Sequence, residues 1–349
     1  MRDLRELHIA AASPCNKRKT IGFLAAIALS IFGGLVRAEV SEIKIATQPG
    51  LSALPLLVME DSKLLEKHAK AAGLGEVKVE WARLTNGPAM NDALLAGNLH
   101  FALAGVPVFA ILWDKTHGNL NVKGVTATAS YRLLLNTRNP AVTTIKDFSA
   151  KDKIAIPAVK VSLQALILQM AAERAFGEGN HNKLDTLAVG MSLPDGMAAL
   201  LSGAHEVNSH FAAPPFQFLE LANAGIHTVL DSDTVLGGPA SVNIVYATSK
   251  FAVENPRTYQ AFVKAFKEAT EIINADKRSA ALTYVRLVKD KATADDILKI
   301  LNDPGTLYSM APAGVMKYVN FMHKTGVLKQ RPNTWKELFF PDIHGLSGS

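Results

Sequence analysis

The run Thr85–Gly97, TNGPAMNDALLAG, recurs in altered form at Met191–Gly203, MSLPDGMAALLSG, 106 residues later. Pro88 aligns with Pro194, Ala93–Leu94–Leu95 with Ala199–Leu200–Leu201, and Gly97 with Gly203. Each copy follows a short β-like run (Val77–Trp81; Leu184–Val189) and precedes another (Leu99–Ala104; Glu206–Phe211). A strand–helix–strand unit met twice at this spacing points to two α/β lobes rather than one continuous sheet. Two lobes make a cleft, and clefts at lobe interfaces are where small ligands bind.

The N-terminus addresses the compartment. Lys17–Arg18–Lys19 precedes the apolar run Ile21–Val36, which ends in Val36–Arg37–Ala38. A charged region, a hydrophobic stretch and a small residue at the end read as a secretory signal peptide cleaved after Ala38. The apolar run falls short of the ~20 residues that span a bilayer, so no membrane insertion is expected after cleavage. Cys15, the single cysteine, precedes that run, so the chain from Glu39 onward has no disulfide, thiolate metal site or cysteine nucleophile. Its 311 residues bury a sizeable core without such staples.

Charge excludes one class of partner. Residues 1–38 hold six Lys/Arg against two acids, so about +2 of the chain's formal +6 remains on residues 39–349. That is too little to argue for nucleic acid. No nucleophile elbow, phosphate loop, dinucleotide fingerprint or zinc helix is present. None of the ten histidines forms a convincing ligand set, and neither catalytic residues nor a cofactor is expected.

From Ile43 onward, short β-branched runs alternate with helix-like stretches, as in folds with largely parallel sheets. The strand-like runs are Ile43–Ala46, Val77–Trp81, Leu99–Ala104, Leu120–Ala127, Lys153–Ile156, Leu184–Val189, Glu206–Phe211, Ile226–Leu230 and Asn243–Thr248. Helical spacing marks Leu56–Ala72, Ala89–Ala96, Leu163–Phe176, Asp195–Leu201 and Pro214–Ala224. After Thr248 only helical periodicity remains, in Lys250–Ala275, Ser279–Lys289, Ala294–Leu301 and Pro312–Thr325. Loops at Gln48–Gly50, Asn86–Pro88, Gly105–Pro107, Val161–Ser162, Ser192–Pro194 and Ala213–Pro215 each follow a strand and precede a helix, the ligand-facing edge of such sheets. A site built there from helix N-termini offers free N–H groups and a positive dipole to a small anion or polar group. Ser192 with Asp195 fits a capping box.

Several segments in this order resemble the periplasmic solute-binding proteins of ABC importers of the nitrate, sulfonate and taurine type. They are Ile43–Gln48 (IKIATQ), Leu64–Lys67 (LLEK), Ala93–Ala104 (ALLAGNLHFALA), Thr144–Phe148 (TIKDF), Lys153–Val161 (KIAIPAVKV), Pro194–Gly203 and Lys250–Pro256 (KFAVENP). The resemblance implies a two-lobed α/β fold of the type II periplasmic-binding-protein kind, each lobe a mostly parallel sheet flanked by helices. The implied division is a signal peptide over 1–38, a discontinuous first lobe over 39–133 and 237–349, and a second lobe over 134–236. It further implies a periplasmic, monomeric receptor that closes on a small polar or anionic organic solute and delivers it to a membrane permease with its ATPase.

Implied ligand contacts are Gln48, Asn86, Gly87, Val106, Ser130, Tyr131, Ser162, His210, Phe211 and Asn243. Val161–Ser162 replaces the Gly-Ser/Thr pair common in sulfonate binders, and His210–Pro215 replaces a Trp-Asp-Pro-like segment. His210, Phe211 and Phe216 would then line a larger, partly aromatic pocket, with Arg132 beside the first crossover. Pyrimidine synthases of thiamin biosynthesis share the fold, but that chemistry calls for a cysteine-rich segment. A sensor that presents solute to a membrane receptor is the other alternative.

Overall fold

The computed structural model describes residues 38–349 other than 86, 205 and 290; the expected signal peptide and Cys15 lie outside the described residues. Residues 39–349 form one compact unit. Ile43, Ile45 and Ala46 are wholly buried in β1 (Glu42–Thr47). β1 pairs in parallel with β2 (Lys78–Arg83) on one side and β3 (Phe101–Gly105) on the other. Phe101–Ala104 of β3 are buried on both faces, as a covered parallel strand requires. β11 (Asn243–Thr248) runs antiparallel between β3 and β4 (Val122–Ala127), giving the order β2-β1-β3-β11-β4.

The second sheet repeats this plan. β7 (Ile154–Ile156) pairs in parallel with β8 (Ala188–Gly190) and β9 (Ser209–Phe211). β6 (Leu134–Thr137) runs antiparallel between β9 and β10 (His227–Asp231), giving β10-β6-β9-β7-β8. The sequence repeat therefore marks equivalent places. Helix Gly87–Leu95 joins β2 to β3 around β1, and helix Leu193–Ser202 joins β8 to β9 around β7. Gly97 and Gly203 follow these helices with φ of +75° and +68°, the left-handed stop that glycine adopts without a Cβ clash.

The chain passes between sheets twice, over 128–133 and 232–242. The two passages are bonded to one another: Val242 donates its N–H to the Ala129 carbonyl at 3.0 Å, and the Ser130 and Ser241 hydroxyls lie 3.4 Å apart. A two-residue strand, β5 (Ala129–Ser130), pairs with β12 (Leu307–Tyr308). β12 corrects the expectation of helices alone after Thr248.

Other boundaries shift for local reasons. The expected helix Leu56–Ala72 is two helices, Leu54–Asp61 and Leu64–Ala71, broken where Lys63 turns left-handed at φ +49°. Lys250–Ala275 is likewise two, Ser249–Glu254 and Pro256–Ala275, because Pro256 disfavours the helical conformation at Asn255. The freed Asn255 accepts the Val40 N–H through Oδ1 at 2.9 Å. Leu184–Leu187 enters β8 through a 3-10 turn, and Pro214–Ala224 is helical only over Phe216–Leu221. The apolar stripe of Pro256–Ala275 packs on helices Leu54–Asp61 and Leu64–Ala71, with Phe262 stacked 3.8 Å from Phe101. Its role is core packing.

Candidate functional site

Loops at the C-terminal ends of the parallel strands face one another across the two sheets and enclose a cavity of about 60 Å³. The loop after β1 supplies Gln48 and Ser52; the loop after β2, Thr85 and Gly87; the end of β3, Gly105 with Val108 one turn on. Tyr131, Leu133 and Val242 come from the two passages, Asn243 from the start of β11, and Pro157, Ala158, Ser162 and Gln164 from the loop and helix after β7. Leu193 and Ala213 complete the wall. At roughly 10–15 Å³ per water-sized group, this holds on the order of five such groups.

The closure is direct. The Leu51 N–H donates to the Pro214 carbonyl at 3.2 Å, joining the loop after β1 to the loop after β9. Lys324 at the end of helix Val315–Lys324 pairs with Glu178 at 2.8 Å and Glu173 at 3.3 Å. That helix packs against both Val106–Thr116 and Leu163–Phe176.

Helix starts surround the cavity, and four of them lack one first-turn donor each. Helices Leu54–Asp61, Val106–Thr116 and Leu193–Ser202 carry proline in the first turn, and Pro88 does the same in Gly87–Leu95. Proline has no N–H to offer. The Val106 N–H goes to Val242 O at 3.2 Å and the Leu51 N–H to Pro214. Leu163–Phe176 alone among these starts without proline; the Ser162 hydroxyl caps it by accepting the Ala165 N–H at 3.2 Å.

The polar side chains facing the cavity are Gln48, Ser52, Thr85, Tyr131, Ser162, Gln164 and Asn243. Asn243 donates through Nδ2 to Gln48 Oε1 at 3.2 Å. Burial pushes the Tyr131 hydroxyl up to about 12, against the opposing hydrogen bonds of Ser52, so Tyr131 is a neutral donor. No Asp, Glu, Lys, Arg or His is among the described lining residues. Nor do the described residues hold a His/Cys/Asp/Glu group able to bind a metal ion.

The model of the NMT1-like family matches residues 37–287, most of the chain. The chain belongs to the NMT1-like family. No curated protein matches it. Solved structures that share the fold of this NMT1-like chain include the ligand-binding component of an ABC-type import system from Staphylococcus aureus with zinc bound. That protein is 18% identical, with a TM-score of 0.66 over 87% of this chain and 98% of its own. The periplasmic aliphatic sulphonate binding protein of Escherichia coli is also 18% identical, with a TM-score of 0.62 over 86% and 92%. The periplasmic nitrate-binding protein of Synechocystis is 14% identical, with a TM-score of 0.67 over 86% and 85%. The fold expected from the resemblance is thus the fold of this family member.

Of the ten residues expected at the site, Gln48, Gly87, Tyr131, Ser162 and Asn243 stand together around the cavity. Asn86 lies outside the described residues. Four stand elsewhere in the NMT1-like chain. Val106 is wholly buried and does not line the cavity. Ser130 belongs to the bonded pair of passages with Ser241.

His210 and Phe211 are fully buried in β9, away from the cavity. His210 is held through Nδ1 by Glu220 Oε1 at 2.5 Å. Its other edge lies against Gly196, beneath the helix that follows β8. The expected aromatic wall is absent too: Phe216 packs with Met197 and Ala212. Arg132 pairs with Asp303 at 3.0 Å and approaches Asp231 at 3.9 Å, committed to structural acids rather than to a ligand.

Sequence reasoning missed Ser52, Thr85 and Gln164. Gln164 was open to inference, because it sits in the first turn behind the Ser162 cap. The Ser192–Asp195 box is half formed: Ser192 accepts the Asp195 N–H, while the Asp195 carboxylate takes the Ser192 hydroxyl rather than its N–H.

Proposed function

We propose that this protein is the solute-binding component of an ABC importer. It would capture a small polar or anionic organic solute between two lobes, over residues 39–133 with 237–349 and over 134–236. One observation carries the reading: a small cavity lined by loops of both sheets, which the Leu51–Pro214 hydrogen bond joins directly. The side chains facing it hold and orient a solute, and its ionisable member, Tyr131, stays neutral far above physiological pH. That supports a binder rather than a catalyst. Binding to the closed form shifts the population between open and closed lobes, and the closed form is the signal a permease with its ATPase would read.

Export through a cleaved leader to the periplasm completes the proposal, in keeping with the periplasmic proteins that share the fold. Thermal melting of the chain from Glu39, against small organic acids, sulfonates, amides and pyrimidines, tests the reading. A true ligand at 100 times its dissociation constant adds about 2.7 kcal/mol. A melting point unmoved by the whole panel removes the support for solute capture.

A further inference from the structure

We propose that the cleft selects an uncharged solute that carries a carboxamide-like edge, and rejects anions of the same size. The proposal rests on the solute-binding reading and narrows it. A carboxylate, sulfonate or nitrate withdrawn from water needs a cation or several converging N–H donors to offset its lost hydration. The described lining holds no such cation, and its helix starts are short of donors. The prolines at positions 55, 88, 107 and 194 each delete a donor from a helix start at the cleft. Two further donors are consumed by Val242 and Pro214 carbonyls.

Three side-chain amides remain in the wall: Gln48 and Asn243 on one side, Gln164 on the other. Gln48 and Asn243 are bonded to each other at 3.2 Å. Whichever amide is turned to donate, the pair leaves an NH₂ on one residue and a C=O on the other. Side by side, these match the C=O and NH₂ of a solute amide, giving two parallel hydrogen bonds. A carboxylate offers two acceptors and no donor, so it leaves the pair's own carbonyl facing an anionic oxygen. Buried polar groups left unpaired in this way reject the wrong ligand more strongly than lost contact area does. Gln164, buried in the first turn of the proline-free helix, supplies the same choice of donor or acceptor from the opposite wall.

The test is isothermal titration of the chain from Glu39 with matched pairs of two- to six-carbon carboxamides and carboxylates, plus the corresponding sulfonates and nitrate. The expected result is at least one carboxamide bound tenfold or more tightly than its carboxylate and sulfonate partners. Gln48→Ala and Asn243→Ala should each weaken that binding tenfold or more. The isosteric Gln48→Glu should do so as well, and an unchanged far-UV circular dichroism spectrum for each variant separates recognition from folding. Anions bound more tightly than amides overturn the proposal and leave solute capture standing. No binding by any member overturns both. Equal affinity across a pair overturns the selection by charge alone.

Discussion

The N–H of Leu51 donates to the carbonyl of Pro214, 3.2 Å away across the cleft. Both partners are backbone groups, so the bond depends on the path of the chain on each side. Gly50 sets that path with a φ of +112°, a conformation that L residues adopt only with strain. A Cβ at Gly50 would make only an ordinary 3.5 Å contact with the same Pro214 oxygen, so the cost lies in the backbone. Gly50→Ala is expected to cost about 1–3 kcal/mol and to favour the open form. Urea unfolding measures the first effect, and a larger radius of gyration in solution scattering the second. A variant as stable and as compact as the parent contradicts the role given to Gly50.

Gly196 offers a test in which the usual sign reverses. Gly to Ala inside a helix ordinarily stabilises by about 1 kcal/mol. Here the added methyl would meet His210 Nε2 at 2.6 Å, and the ring cannot retreat because Glu220 holds its other side. Gly196→Ala should therefore destabilise, by about 1–3 kcal/mol as overpacking does. A raised melting point would show that the ring moves freely.

Glu220 is the centre of a buried polar network. Its two oxygens take His210 Nδ1 at 2.5 Å and the Asn136 amide at 2.8 Å, and Asn136 also donates to the Gln217 carbonyl. Gln217 in turn accepts the Leu134 N–H and donates to the Arg132 carbonyl at the first passage between sheets. Glu220→Ala leaves His210 and Asn136 without this partner in a dry interior, a loss of about 1–3 kcal/mol for each group. Denaturant unfolding with an unchanged slope checks it. Glu220→Gln, which keeps an acceptor, should cost less.

Acid should weaken the fold first through His100. Burial, with Lys44 nearby, holds this imidazole below its ordinary value against a smaller opposing pull from Glu42. The neutral ring accepts the Lys44 N–H through Nδ1 at 3.1 Å and stacks on Phe251. A depressed folded value means the unfolded chain binds the proton first. The contribution is therefore complete above about pH 6.5 and lost as the pH falls toward the folded value. Melting points between pH 7.5 and 5.5 should drop in the parent and drop less in His100→Asn. Parallel curves for the two proteins would exclude His100 as the source.

The fold was legible because its signals are local. The repeat's prolines and terminal glycines mark equivalent helices, and buried β-branched runs mark the strands. The site was half legible for a reason of geometry. Gln48, Gly87, Ser162 and Asn243 sit where a strand meets a loop or helix, which spacing alone locates. His210 and Phe211 sit inside a strand, where facing depends on register. The register pairs His210 with Asn136 and Ala155, and no pattern in the sequence distinguishes that from its neighbour. Glu220, the partner that commits His210, lies ten residues away on a helix that was expected to be longer.

The insertion of β11 between β3 and β4 sets an order of events during synthesis. A slot between those strands stays open until residues 243–248 arrive, more than a hundred residues after β4 has been made. Every strand of the second sheet is complete by Asp231, so it is free to form first. The opening third of the polypeptide therefore waits without its finished sheet while the rest emerges. The first sheet can therefore reach its full strand order only after every strand of the second has left the ribosome.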